Sequence, residues 1–281
     1  MRVLVTNDDG IEAPGLGVLA RCASQAGHDV FVVAPAREMS GTGASMGALA
    51  LHCPIEFRRR RLPSLDGVES HAAEATPAAC AILSCLGAVG EPPDLVLSGV
   101  NAGLNVGRSA LHSGTVGAAL AAAAWGAKGI GVSTPTGHGC VHWDTAASVA
   151  VDLAGWFMAE CELRALNLNV PNVPRAALRG VRWAPLAPVG AIRSAIVGVA
   201  ETADGEGFNV LTDHEATDPA AAPSGSDRAL VAGGWATLTG LGGLAEQIPA
   251  DASSSERLLD RLLSDEAPGG GVAPSAPSRL R

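Results

Sequence analysis

Short apolar runs recur along the first half of the chain, and segments with helical spacing of apolar residues lie between them. The runs are rich in Val, Ile and Leu, which is typical of strands buried on both faces of a parallel sheet. We predict strands at Val3–Thr6, Asp29–Ala34, Leu95–Ser98 and Gly129–Ser133. We predict helices at Gly15–Ala26, Thr76–Leu86 and Val116–Trp125. Strands alternating with helices indicate an α/β fold with a doubly wound, mostly parallel sheet.

The pattern changes from Leu166 onward, where apolar and polar residues alternate and predict a smaller β-rich C-terminal extension. Asn167–Val170 and Gly180–Ala184 alternate, and Ala229–Leu238 is a further strand-like run. Ala203–Asp227 is polar and rich in Gly, Pro and Asp, which predicts a loop. We expect a core domain at 1–173, β-rich arms and loops at 174–250, and a terminal helix (Ser254–Ser264) with a disordered tail at 251–281.

Net charge limits the partners of the chain. A formal charge of −9 disfavours nucleic acid and acidic membrane surfaces, whereas a small phosphorylated substrate stays allowed because a metal ion reverses the sign locally. The longest apolar stretch, Val116–Ala127, is too short to span a membrane, and the N-terminus leads at once into the first strand without a signal peptide. Six scattered cysteines indicate reduced thiols, so we expect a cytoplasmic location.

Oxygen-bearing side chains follow three of the predicted strands. Asp8 and Asp9 come after the first strand, Ser40 lies beyond the second, and Asn101 follows Leu95–Ser98. Because the carboxyl ends of parallel strands meet in one crevice, we expect these side chains to converge. Carboxylate, hydroxyl and amide oxygens suit Mg²⁺, Mn²⁺ or Ca²⁺, so the sequence predicts one divalent metal ion here. Taken alone, Asn7–Gly10 is equally typical of a polar turn that caps the following helix, and Ser40 and Asn101 are more typical of turns and caps.

A second polar turn, Ser113-Gly114-Thr115, opens the alanine-rich helix. Free backbone N–H groups and the positive helix end make such a turn a natural phosphate cradle, although an ordinary N-cap by Ser113 or Thr115 is the commoner role. We expect the residues that contact phosphate or substrate to be Asn7, Gly41, Asn105, Ser113, Gly114 and Thr115.

The segment Gly15–Ala20 matches the glycine pattern of dinucleotide-binding loops. It does not follow directly on the strand, and Asp8 and Asp9 would repel a pyrophosphate. Helix packing is the better explanation of these glycines.

Several blocks in this order resemble the SurE (survival protein E) family of nucleotidases. The matching blocks are Val3–Ile11, Ala13–Leu16, Val32–Pro35, Arg37-Glu38, Ser40-Gly41, Asp94–Gly103 and Ser113–Ala119, with weaker matches at Asn167–Pro171 and Thr217-Asp218.

The resemblance implies a Rossmann-like core and a divalent metal held by the positions of Asp8, Asp9, Ser40 and Asn101. It implies hydrolysis of nucleoside 5′- or 3′-monophosphates, and in some members of short polyphosphate. Asp8 and Asp9 are the candidate catalytic residues. The resemblance also implies a homodimer or homotetramer joined by C-terminal β-arms.

The chain departs from the family outside the metal positions. The departures are at Glu12, Ala44, Gly47, Ala79, Arg108, Ser109 and His112. Because the metal positions match and these do not, we expect the reaction to be kept and the preferred substrate to change. Two alternatives stay open: a biosynthetic-pathway phosphatase for a non-nucleotide metabolite, and a non-catalytic metal- or nucleotide-binding protein.

Overall fold

The computed structural model describes residues 1–47, 54–63, 65–137, 139–188, 192–203, 206–216 and 221–243. In chain order its strands are β1 (Arg2–Thr6), β2 (Asp29–Pro35), β3 (Phe57–Arg59), β4 (Glu69–Ala73), β5 (Leu95–Ala102), β6 (Lys128–Thr134), β7 (Ala165–Asn169), β8 (Val181–Trp183), β9 (Ile192–Glu201), β10 (Phe208–Ala216) and β11 (Ala236–Leu241). Its helices are α1 (Pro14–Gln25), α2 (Pro77–Cys85), α3 (Gly114–Ala124), α4 (Trp143–Ala159) and α5 (Asp227–Ala232), with 3₁₀ turns at Gly107–His112 and Arg175–Ala177.

A nine-stranded sheet forms the centre of the described part, in the order β3-β4-β2-β1-β5-β6-β7-β11-β8. The strands from β4 to β7 in this order run parallel, whereas β3 and β11 pair antiparallel with their neighbours β4 and β7. The α/β fold and all four predicted parallel strands are confirmed. The order brings the ends of β1, β2 and β5 together, since β1 lies between the other two.

Helices cover both faces of this sheet. Residues of α1 and α4 pack with Val3, Val5 and Leu97 on one face, and residues of α2 and α3 pack with Leu4 and Val96 on the other. The three predicted helices are present within one or two residues of their expected ends. Thr76 caps α2 by accepting the N–H of Ala79, as its place before Pro77 suggests.

Small residues let two helices approach the sheet closely. A Cβ on Gly15 would lie 2.1 Å from the carbonyl oxygen of Val100, and one on Gly129 would lie 2.3 Å from that of Ala119. Gly15 lies inside α1, so helix packing explains the glycine pattern of Gly15–Ala20 without a dinucleotide.

The second half departs from the sequence predictions at two places. The loop prediction for Ala203–Asp227 is wrong, because β10 lies within it and pairs with β9 in a two-stranded antiparallel arm. The strand prediction for Ala229–Leu238 is wrong in its first part, where α5 lies, and right only from Ala236. β10 is ordered by its pairing with β9, and the polar sequence of β10 does not reveal that pairing.

The C-terminal strands β8 and β11 belong to the main sheet, so the core takes strands from beyond residue 173. The division into 1–173, 174–250 and 251–281 stays a prediction, and the terminal helix and tail lie outside the described residues. None of the described helices is long and apolar enough to cross a membrane.

Candidate metal and phosphate site

The turn after β1 carries Asp8 and Asp9 at the carboxyl edge of the sheet. Asn7 braces this turn, because its side-chain amide donates to the carbonyl oxygen of Gly10 over 2.9 Å. Gly10 has a φ of +97°, and a Cβ there would lie 3.2 Å from the carbonyl carbon of Arg37. Glycine is therefore needed both for the left-handed backbone and for the close approach of the segment after β2.

Asp8 is buried against the first turn of α3. Its carboxylate accepts the hydroxyl of Thr115 over 2.5 Å, and its side chain is only 3% exposed. A Cβ on Gly114 would lie 2.8 Å from the Cβ of Asp8, so only glycine allows this contact. Burial raises the pKa of the Asp8 carboxyl, and hydrogen bonds from the Thr115 side chain and from the N–H groups of Thr115 and Gly114 oppose that rise.

Asp9 is half-buried beside the end of β5. Its carboxylate accepts the N–H of Ala102 over 3.2 Å. Burial raises the pKa of Asp9, and the negative charges of Asp8 and Glu38 raise it further, against the lowering effect of the Ala102 N–H. The carboxylates of Asp8 and Asp9 repel each other and are partly shielded from solvent. Both effects favour a bound cation.

Ser40 is brought to the same edge by the backbone. The N–H of Met39 donates to the carbonyl oxygen of Asp8 over 2.7 Å, and the N–H of Ser40 donates to Glu38 over 2.6 Å. Ser40 is exposed, and no described residue bonds its hydroxyl. Gly41 follows as an exposed turn residue with a φ of +80°.

Asn101 completes the predicted donor set. Its side-chain nitrogen donates to the carbonyl oxygen of Gly103 over 2.7 Å, which leaves the side-chain oxygen as the atom open to a cation. The buried side-chain oxygen of Asn7 also lacks a hydrogen-bond partner among the described residues. These oxygens fit a hard divalent cation. Because the described residues hold no group of three or more His, Cys, Asp or Glu placed to bind a metal, a cation here would depend on Ser40 and Asn101 beside the two carboxylates.

The turn Ser113–Thr115, the predicted phosphate cradle, has one of the two roles considered from sequence, that of an N-cap. Ser113 is the N-cap of α3 and accepts the N–H of Val116 over 3.1 Å. Thr115 does not cap the helix, since its hydroxyl donates to Asp8. The start of α3 therefore holds the carboxylate of Asp8 directly. A contact between this turn and phosphate stays a prediction.

Asn105 is held by residues that the sequence did not single out as part of the site. Its N–H donates to the side-chain oxygen of Asn169 over 2.8 Å, and its side-chain nitrogen donates to the hydroxyl of Ser133 over 2.9 Å. Its carbonyl oxygen accepts the side-chain amides of Asn167 and Asn169. The alternation of Asn167–Val170 was the available signal, because it places two asparagines on one face of a buried strand.

Five of the seven residues that depart from the family pattern fall into two groups. Glu12, Ala44, Arg108 and His112 are exposed, whereas Ala79 is fully buried inside α2. Ala79 therefore cannot line the crevice as expected. The weaker match at Thr217-Asp218 lies outside the described residues.

The family model for survival protein SurE matches residues 3–190, which include every residue of this site. The chain belongs to the SurE family. It is 40% identical over 189 residues to 5′-nucleotidase SurE 1 of Burkholderia lata, covering 64% of this chain and 68% of the relative. It is 38% identical over 190 residues to 5′-nucleotidase SurE of Dehalococcoides mccartyi, covering 66% and 70% of the two chains.

The fold agrees with this assignment. The crystal structure of the SurE protein from Aquifex aeolicus matches with a TM-score of 0.73 at 26% identity, covering 92% of this chain and all of that one. The resemblance seen in the motifs is thereby confirmed.

Proposed function

We propose that this SurE family protein is a metal-dependent phosphomonoesterase that hydrolyses nucleoside monophosphates. The curated relatives described above are named 5′-nucleotidases, and the match to them includes the site. The observation that carries the proposal is the pair Asp8 and Asp9, a buried and a half-buried carboxylate at the junction of β1, β2 and β5, with Ser40 and Asn101 at the same edge of the sheet. Such a pair is costly to keep charged unless a cation neutralises it.

Asp8, Asp9, Ser40 and Asn101 would hold the divalent cation, which when bound would offset the charge of a phosphoryl group and ease attack by water. Magnesium or manganese suits these hard oxygen donors best. Thr115 and the first N–H groups of α3 hold Asp8 in place. Asp9 is the better placed proton acceptor, because it is half-exposed and Thr115 occupies an oxygen of Asp8.

The arm formed by β9 and β10 supports the proposal that the protein is a homo-oligomer. Val199, Phe208 and Val210 are exposed on it by 62%, 68% and 46%. Val199 and Val210 are paired in register, so they share one face, and Phe208 lies two residues from Val210 on that face. An exposed apolar face on a projecting pair of strands is suited to a second copy. A cytoplasmic location stays a prediction.

A second candidate function is hydrolysis of a non-nucleotide metabolite phosphate. It is favoured by the exposure of Glu12, Arg108 and His112, which differ from the family pattern while the metal positions match. Exposed side chains around a site that differ in charge change which leaving group the site accepts. They leave the reaction itself unchanged.

A phosphate-release assay over a panel of phosphomonoesters tests both functions. We expect release from AMP and GMP, or from sugar and other metabolite phosphates if the second candidate is right, and loss of release in EDTA. Asp9→Asn should lower kcat by about a hundredfold or more, a typical loss for a carboxylate needed in the transition state. Glu160→Gln, an exposed change at the end of α4, is the matched control and should keep full activity. Wild-type protein that releases phosphate from no member of the panel in Mg²⁺ or Mn²⁺ would refute the proposed function.

A further inference from the structure

A buried carboxylate at the base of the arm is tied to the segment that leads into the phosphate cradle. Asp227 is fully buried at the start of α5, and one of its oxygens accepts the N–H of Gly107 over 2.8 Å. The other oxygen accepts the N–H groups of Ala187 over 2.9 Å and of Arg228 over 2.7 Å. Three donors to one buried anion form a strong, charge-assisted set of bonds.

Two of these donors belong to distant parts of the chain. Ala187 lies just before β9, and the N–H of Asp227 itself donates to the carbonyl oxygen of Pro185 over 2.9 Å. Asp227 lies where the chain returns from β10. The two ends of the arm are therefore fastened to each other at this carboxylate.

Gly107 begins the 3₁₀ turn Gly107–His112, which ends at Ser113 of the cradle. The carbonyl oxygen of His112 accepts the N–H of Gly43, so this turn also holds the loop that carries Ser40. Gly107 has a φ of +61°, a conformation that residues with a side chain rarely adopt. A shift at Gly107 would move both the cradle and the loop of Ser40.

We infer that Asp227 is a positioning residue, which sets the place of the phosphate cradle from the base of the arm by holding the N–H of Gly107. This inference rests on the proposed function of the site. Asp227 acts through the turn Gly107–His112 and is not a catalytic residue. Through Ala187 and Gly107, Asp227 thus links the segment before β9 to the segment before the cradle within one chain.

Asp227→Asn tests the inference, because an amide of the same size keeps one acceptor oxygen and turns an NH₂ group toward a backbone donor. We expect kcat/KM for AMP to fall about ten- to a hundredfold, the scale of a displaced contact in an active site. We expect most of this loss to come from a higher KM, with a matching rise in the Kd for inorganic phosphate, measured by calorimetry in Mn²⁺ at a temperature where the variant is folded.

Lys128→Met is the matched control, since it removes a buried interaction at the far end of α4. A role limited to stability predicts a lower Tm with unchanged KM and phosphate Kd for both variants. If Asp227→Asn gives no folded protein, Asp227→Ser, which is smaller and leaves no misdirected NH₂ group, takes its place in the same measurements.

Unchanged KM and phosphate Kd in a folded variant would overturn the inference, as would equal increases in the control. A wild-type protein that binds phosphate but turns over no phosphomonoester refutes the proposed function alone, and the phosphate Kd of the variant still decides the positioning role. A wild type that binds no phosphate and turns over no phosphomonoester overturns both.

Discussion

The two faces of β6 and β7 are built by alternating residues of the same strands but have different roles. On one face Leu166, Leu168 and Val132 pack into the core with residues of α1 and α4. On the other, Asn167 and Asn169 hold the backbone of Asn105, and Ser133 accepts its side-chain amide. All are buried, so exposure does not distinguish the faces. The apolar face stabilises the fold, and the polar face positions a loop of the site.

This difference matters because burying polar groups contributes little net stability. A hydrogen bond adds about 0.5–1.5 kcal/mol after the loss of water is counted, whereas burying a leucine side chain adds about 1.5–3 kcal/mol. The asparagine face gives up that stabilisation and gains a fixed position for Asn105. Stability and activity should therefore respond separately to changes on the two faces.

Leu168→Ala should show the largest effect and the purest loss of stability. Leu168 is fully buried, so the change should lower the free energy of unfolding by about 2–5 kcal/mol through lost transfer energy and a cavity. The fraction that stays folded should keep the wild-type KM for AMP. Denaturant unfolding and steady-state kinetics on the same sample check this, and an altered KM would show that the apolar face also positions the site.

Thr115→Val should reduce activity more than stability. It removes the hydroxyl that Asp8 accepts, so we expect kcat/KM to fall about ten- to a hundredfold, corresponding to about 1.4–2.7 kcal/mol. Thr115→Ser keeps the hydroxyl and should retain most of the activity. Equal kcat/KM for Thr115→Val and Thr115→Ser would show that this hydrogen bond does not contribute to activity.

Asn169→Ala changes the residue next to Leu168, which lies on the opposite face of β7. The two variants are therefore a matched pair. Asn169→Ala leaves the part-buried N–H of Asn105 without its acceptor, so the free energy of unfolding should fall by about 1–3 kcal/mol. Because Asn105 is also released, KM for AMP should rise several-fold. A loss of stability with an unchanged KM for AMP would show that the polar face, like the apolar face, only stabilises the fold.

Lys128→Met should show the smallest effect. This single lysine of the chain donates to the carbonyl oxygens of Phe157 and Cys161, each over 2.6 Å, at the end of α4. Losing these bonds should cost about 1–2 kcal/mol, because the methionine keeps only the packing of the stem. Thermal unfolding measures the loss. A changed KM in this variant would mean that any destabilisation loosens the site.

The sequence predicted the strands and the carboxylate turn well because both are local. The apolar runs of β1, β2, β5 and β6 need no partner to be recognised, and the strand ends place Asp8, Asp9 and Asn101 on one edge. The polar strand β10 was missed, because its order comes from pairing with β9. Its Gly, Pro and Asp neighbours carry the composition of a loop.

Long-range hydrogen bonds could not be predicted from one sequence. Thr115 was expected to donate to phosphate, and no local pattern indicates that Asp8, far away in the chain, is its acceptor. The alternation of Asn167–Val170 indicated a strand but not that its asparagines bind Asn105. Asp227 carried no signal at all, because its partner Gly107 lies 120 residues away.

We infer that oxygen donors at the junction of β1, β2 and β5 bind a divalent cation that catalysis requires. Titration of Mn²⁺ into chelator-stripped protein, with binding measured by calorimetry and AMP hydrolysis measured at each concentration, tests it most directly. We expect one bound ion per chain, activity that rises in parallel with occupancy, and loss of both in Asp9→Asn. Full activity in the chelator-stripped wild type, or Mn²⁺ binding that Asp9→Asn leaves unchanged, would contradict the claim.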